Sequence, residues 1–144
     1  MNIFEALRED HDIQRSLLNE LVETSGDTAN RKYLFEKLKQ ELEIHADAEE
    51  RFLYIPLIKH DSTQEKARHS IAEHHEIDEL IARLEETDFD STGWLTIAKS
   101  LKHKVEHHLV EEEREVFQMA GKALSEKEKR TLAEEYNRDM VANR

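Results

Sequence analysis

Two copies of one pattern, 63 residues apart, restrict the fold of this chain more than anything else in it. The first runs His45-Ala46-Asp47-Ala48-Glu49-Glu50 and continues to Leu53-Tyr54. The second runs His108-Leu109-Val110-Glu111-Glu112-Glu113 and continues to Val116-Phe117. In each, a histidine precedes a glutamate by four residues, which stacks the two side chains on one helix face, a turn apart. An imidazole and a carboxylate so placed are ready to share a metal ion. Two copies point to a site with two metals rather than one.

Such a pattern needs long helices, and the composition favours them. Only three glycines and one proline occur in 144 residues, and 38% of residues are charged, which argues for an all-helical chain. Helical periodicity falls into four long segments and a shorter fifth. The first runs from about Ile3 to Glu23, with Asn2 as cap and Ser25-Gly26-Asp27 as turn. The second starts near Ala29 and is disrupted near its end by Pro56. The third follows the capping signal Asp61-Ser62 and ends near Thr87, and Asp88 to Gly93 form the next loop. The fourth runs from about Trp94 to Ala120, where Gly121 stops it. Ser125 and Glu128 make a capping box for the fifth, about Glu126 to Val141. Short loops between long helices predict an antiparallel up-down four-helix bundle with a short C-terminal fifth helix, one domain over residues 1–144.

Charge and cysteine content narrow the function. A net charge of −12 repels phosphates, so nucleic acid is not an expected partner. The chain has no cysteine, which excludes disulfides, thiolate zinc sites and iron–sulfur clusters. The first ten residues are amphipathic and charged, without a signal-peptide core, and no run of apolar residues is long enough to span a membrane. The chain reads as a soluble, cytoplasmic protein with no membrane partner.

Nine histidines are too many to be ligands together, and the helical wheel sorts them. The second helix carries an apolar stripe of Leu34, Leu38, Leu42, Phe52 and Leu53, with His45 and Glu49 in its middle. On the fourth, Ile97, Ala98, Leu101, Val105, Val116 and Met119 define the inner face. His108 and Glu112 lie close to it, and His107 faces away. On the third, Ile71, Ile77, Ile81 and Leu84 select His74 over His75, and on the first His11 interrupts the stripe of Phe4, Leu7, Leu18, Leu21 and Val22. Counted from the turns at about 1.5 Å per residue, all these groups sit near one level, about 20 Å from the loops. His11, His45, Glu49, His74, His108 and Glu112 therefore converge. An uncompensated buried carboxylate is very costly, and a metal is the simplest compensation. His60, His69, His75, His103 and His107 read as solvent-facing. The acid runs Glu49-Glu50 and Glu111-Glu112-Glu113 read as solvated faces with one inward acid each, and Glu115 as a candidate supporting group near the inner face.

Four imidazoles and two carboxylates without thiolate suit iron, manganese or zinc. Neither Glu-x-x-His nor His-Glu-x-x-His occurs. The reversed order, histidine then glutamate, is shared with a known family. The chain resembles the hemerythrin-like HHE cation-binding domains over nearly its whole length. The resemblance is carried by His11-Asp12, by His45-xxx-Glu49-Glu50 with Leu53-Tyr54 and Pro56, by Glu73-His74-xx-Ile77, and by His108-xxx-Glu112-Glu113 with Val116-Phe117. It implies a four-helix bundle around two iron ions bridged by an oxo or hydroxo group. His11 and His45 would bind one iron, His74 and His108 the other, and Glu49 and Glu112 would bridge them.

One departure matters. Oxygen-carrying hemerythrins have a further histidine on the third helix, and here the position four after His74 is Asp78. One iron then lacks a protein nitrogen, unless Asp78 or water takes the place. An open pair suits reaction with dioxygen, peroxide or nitric oxide, in stress defence or sensing. A reversible carrier, store or sensor of oxygen or iron, without turnover, is the alternative.

Overall fold

The computed structural model describes residues 1–144, all in helices, turns and loops. α1 (Ile3–Leu21) opens under a capping box in which Asn2 and Glu5 each hold the other's backbone N–H. Ser25-Gly26-Asp27 turns the chain as expected, and Gly26 takes φ +64°, a conformation open to glycine at little cost. α2 (Ala29–Glu49) starts under Thr28 and runs into a π-helical turn (Glu50–Tyr54) and the short α3 (Ile55–Ile58). Pro56 does not break this rod. The π turn, in which the Ile55 N–H donates to the Glu50 carbonyl, comes just before it and absorbs the register change that proline forces.

α4 (Gln64–Glu86) begins later than Asp61-Ser62 suggested. Thr63 is its first flanking residue and turns its hydroxyl back to the Leu57 carbonyl at 2.6 Å, tying α3 to α4. α5 (Thr92–Glu111) starts under Ser91, so Gly93 lies in its first turn. It continues through a second π turn (Glu112–Val116) into α6 (Phe117–Ala123). Gly121 does not stop the helix. It sits inside α6 with no heavy atom near a Cβ position, and the chain leaves the helix only at Leu124. α7 (Glu126–Asn143) has the expected Ser125/Glu128 capping box and is the shortest of the five main helices.

The result is an all-helical bundle: α1 packs on α2, α4 on α5, and α1 on α5, while α7 lies along α1 and α2. Its interior holds two apolar clusters of nearly equal size, 16 and 15 buried residues, so the layer between them falls mid-bundle. One contains Phe4, Leu7, Tyr54, Phe117 and Tyr136; the other contains Leu18, Leu38, Trp94 and Leu101. The buried polar residues His11, His45, Glu49, His74, His108 and Glu112 lie outside both. No helix is long and apolar enough to cross a membrane.

Candidate metal centre

The two halves of the bundle repeat with the motif. Adding 63 to a position in α1, or in α2 and the π turn that continues it, gives its counterpart in α4, or in α5 and its π turn: His11 and His74, His45 and His108, Glu49 and Glu112, Glu50 and Glu113, Asp10 and Glu73. Two like helix pairs face each other across the polar layer.

The structure brings all six sequence-selected residues together, none more than 5% exposed. Their ligand atoms form two groups, His11/His45/Glu49/Glu112 and His74/His108/Glu49/Glu112, each with atoms within 4.8 Å of one another. Both glutamates belong to both groups. Glu49 Oε2 lies 3.5 Å from His45 Nε2, and Glu49 Oε1 lies 3.2 Å from His74 Nε2. Glu112 Oε1 lies 3.1 Å from His11 Nε2, and Oε2 lies 3.6 Å from His108 Nε2. Each carboxylate offers one oxygen to each histidine pair, the arrangement a bridging ligand needs.

The residues fit a pair of divalent cations. Nε2 of His11, His45 and His108, both oxygens of Glu49 and Oε1 of Glu112 are buried without a hydrogen-bond partner. Such orphaned groups are rare and costly, and here they converge. Cations would satisfy all of them at once, and the nitrogen and oxygen donor set suits iron, manganese or zinc.

The outward nitrogens explain why Nε2 is the free atom. His11 Nδ1 lies 2.8 Å from Glu113 Oε2, His74 Nδ1 3.2 Å from Glu50 Oε1, and His108 Nδ1 2.8 Å from Glu73 Oε1. An ionised carboxylate only accepts, so each Nδ1 must carry the proton and each Nε2 presents its lone pair inward. The second acid of each motif crosses over: Glu50 holds the α4 histidine and Glu113 the α1 histidine. Behind the same two rings lie the equivalent aromatics, Tyr54 tilted against His74 and Phe117 stacked on His11. Tyr54 also donates its hydroxyl to Glu112.

One outer partner breaks the symmetry. Asp10 is a methylene shorter than Glu73, and its carboxylate stops 3.9 Å from His45 Nδ1. Tyr136 of α7 fills the gap, with its hydroxyl 2.6 Å from His45 Nδ1 and donated onward to Asp10. Arg144 then binds both Asp10, at 2.7 Å, and Glu41, at 3.0 Å. Tyr136→Phe leaves the His45 N–H facing that 3.9 Å gap. It is expected to weaken metal binding about 10- to 100-fold, the usual effect of losing a ligand's supporting partner. Competition with a chelator reads this directly, and unchanged affinity would refute the support role.

Protonation follows the same geometry. Burial works against ionisation of Asp10, but His45, Tyr136 and Arg144 hold it at about 2; Glu113, half-buried, is held at about 2 by His11 and Arg15. Burial pulls His11 and His108 down. For His45 burial is outweighed by Glu49 and Asp10, and it rises to about 9. Burial and the facing Glu49 carboxylate push Glu112 well up, while the imidazoles keep Glu49 ionised. At pH 7 the metal-free site therefore keeps a proton on His45 that a cation must displace, and the upward push on Glu112 favours a proton there too. Metal uptake at pH 7 is expected to release at least one proton per chain, with affinity falling as pH is lowered. Titration in weak buffer tests this, and uptake without proton release would contradict it.

Several sequence expectations change. Glu50 and Glu113 are not simply solvated acids but hold Nδ1 atoms of the centre. Glu115 is not a supporting group; it is exposed and pairs with Lys66 at 3.1 Å. The cause is the π turn that starts at Glu112, within which Glu115 no longer follows the angles of a regular helical wheel. Asp78 is exposed and outside both ligand groups, though it lines a small cavity beside them. His69, His75, His103 and His107 are exposed as expected, and His60 is half-buried. His69 approaches Glu111 at 3.3 Å and Glu73 at 3.7 Å, which makes an outer acid cluster behind His108. Glu73 and Asp10 left one usable signal in the sequence, since both immediately precede a selected histidine at the same 63-residue spacing.

Comparison with known proteins agrees with this geometry. The family model described as hemerythrin HHE cation binding domain matches residues 2–120, from α1 into α6. A crystal structure of a hemerythrin HHE cation-binding domain-containing protein from Mycobacterium kansasii superposes with a TM-score of 0.88 at 26% identity, covering 99% of this chain and 87% of that one. None of the curated proteins compared matches significantly. With the matched span containing all six inward groups and the bundle shared end to end, this chain belongs to the hemerythrin HHE cation-binding domain family.

Proposed function

We propose that the centre holds two iron ions through His11, His45, Glu49, His74, His108 and Glu112, and that the protein binds or reacts with dioxygen, peroxide or nitric oxide in stress defence or sensing. The observation that carries this reading is where the free space lies. In both motifs the glutamate sits one turn beyond its histidine, toward the cluster containing Tyr54 and Phe117. On the opposite side of the histidine layer is a cavity of about 20 Å³, bordered by His45, His74 and His108 and walled by Leu42, Ile77, Val105 and Leu109. That volume takes a water-sized group or a very small ligand. Bound iron would supply electrons and unfilled coordination positions.

The chain's residues then have defined tasks. Glu49 and Glu112 span the two histidine pairs from one side and leave the other side to the ligand. Glu113, Glu50, Glu73 and the Tyr136–Asp10 pair fix the imidazole tautomers, and the leucine and valine wall keeps bulk water out. Because α7 provides Tyr136, the reading treats residues 1–144 as one functional unit. It expects a cytoplasmic protein acting on small molecules, since a net charge of −12 disfavours nucleic acid.

Metal analysis of protein made with abundant iron, followed by optical spectra of the reduced form with each small molecule, tests the proposal. Two irons per chain and a new absorption band with at least one ligand are expected. One iron or fewer, or spectra indifferent to dioxygen, peroxide and nitric oxide alike, would sink it. Turnover separates a reactive site from a reversible carrier.

A further inference from the structure

We propose that Gln14 is the residue that selects the ligand of this cavity, by donating a hydrogen bond from its side-chain amide to the ligand atom that faces away from the metals. The inference rests on the proposed small-ligand function of the centre. Gln14 lies on α1, three residues after His11, and is 2% exposed. Its amide nitrogen is buried and has no hydrogen-bond partner. The same side chain lines the cavity together with His45, His74 and His108. A buried donor without an acceptor is unfavourable, so its presence calls for a partner that arrives from outside the chain.

The internal repeat shows that packing does not require glutamine there. The counterpart of Gln14 is Ile77, which lines the same cavity from α4 and is buried in the apolar cluster. The rest of the wall besides the histidines is Leu42, Ala46, Val105 and Leu109, with Asp78, which is exposed and offers an acceptor. Apart from the three histidines, Gln14 is thus the one buried donor on the chamber. A neutral amide stabilises negative charge on an acceptor without giving up a proton, and does so strongly where water is excluded. It favours ligands of two or more atoms whose far atom accepts a hydrogen bond, such as dioxygen, peroxide, nitric oxide or azide. Fluoride, a single atom held at the metal, gains less.

The experiment uses the iron-loaded, oxidised protein and azide as probe, with Gln14→Leu and the closer-sized Gln14→Met. Iron content should stay at the wild-type level, while the azide Kd rises about 5- to 10-fold, the loss expected for one hydrogen bond. Fluoride affinity should change less than twofold, and the asymmetric stretch of bound azide should shift. The thermal midpoint of the metal-free variants should equal or exceed that of the metal-free wild type, because an unsatisfied amide has gone. Equal azide affinity and an unshifted stretch in fully loaded variants would overturn the role of Gln14 and leave the ligand-binding reading standing. A large fall in the metal-free midpoint would overturn it in favour of a structural glutamine. A wild-type protein that takes up iron but neither binds azide nor responds to dioxygen, peroxide or nitric oxide would overturn both readings.

Discussion

Glu49→Ala is expected to yield protein that retains little or no iron when purified from iron-rich growth. The carboxylate is fully buried and gives one oxygen to each histidine pair, so a single substitution removes a donor from both positions. It also removes the negative charge that offsets two cations in a low-dielectric layer, where charge pairing weighs far more than in water. Glu112→Ala should behave alike, since its two oxygens divide in the same way between His11 and His108. His74→Ala, which touches one group only, should be the milder change. His75→Ala and His107→Ala, both exposed, should keep wild-type metal content. Elemental analysis of the five variants decides the matter. Two irons per chain in Glu49→Ala would show that the carboxylate does not bridge.

Removing the metals from the wild-type protein is expected to lower its thermal midpoint by about 10 °C or more. Ions bound only by the folded chain stabilise it by about 4 kcal/mol at a free concentration a thousandfold above Kd, and for a chain near this length each kcal/mol moves the midpoint by about 3–4 °C. The structure gives the reason on the metal-free side. The layer between the two apolar clusters then contains buried imidazole nitrogens and carboxylate oxygens with no partner. Calorimetry before and after chelation, with iron restored at the end, measures the effect. A midpoint indifferent to chelator would mean that the six groups bind no ion tightly.

The inward layer was legible because a regular helix places residues at a fixed angle, and an apolar stripe shows which angle is inside. That rule separates His108 from His107 and His74 from His75, and each selected residue is buried. It fails where the helix is not regular. The two π turns start right after Glu49 and Glu111, so the wheel misplaced Glu115 and gave Glu50 and Glu113 to solvent. Pro56 and Gly121 misled for a related reason, because residues that usually end helices sit inside continuous rods here. Tyr136 was out of reach altogether. It lies 91 residues from His45, and its role depends on the missing methylene of Asp10, which no periodicity encodes.

That missing methylene also decides how alike the two metal positions can be. Behind His74 and His108 stand the carboxylates of Glu50 and Glu73. Behind His45 stands a neutral phenol, and the carboxylate behind His11 is shared with Arg15 at 2.9 Å. An imidazole backed by full negative charge is the stronger electron donor. Glu73 also lies 3.7 Å from Lys104, so the contrast is sharpest between His74, backed by Glu50, and His45, backed by the phenol. If the centre holds two irons as proposed, the His74/His108 position would favour the more oxidised ion and the His11/His45 position the more reduced one. With two irons bound, a duplicated scaffold that would otherwise offer electrons two equal wells would have a slope, down which the first electron to enter would settle on one side.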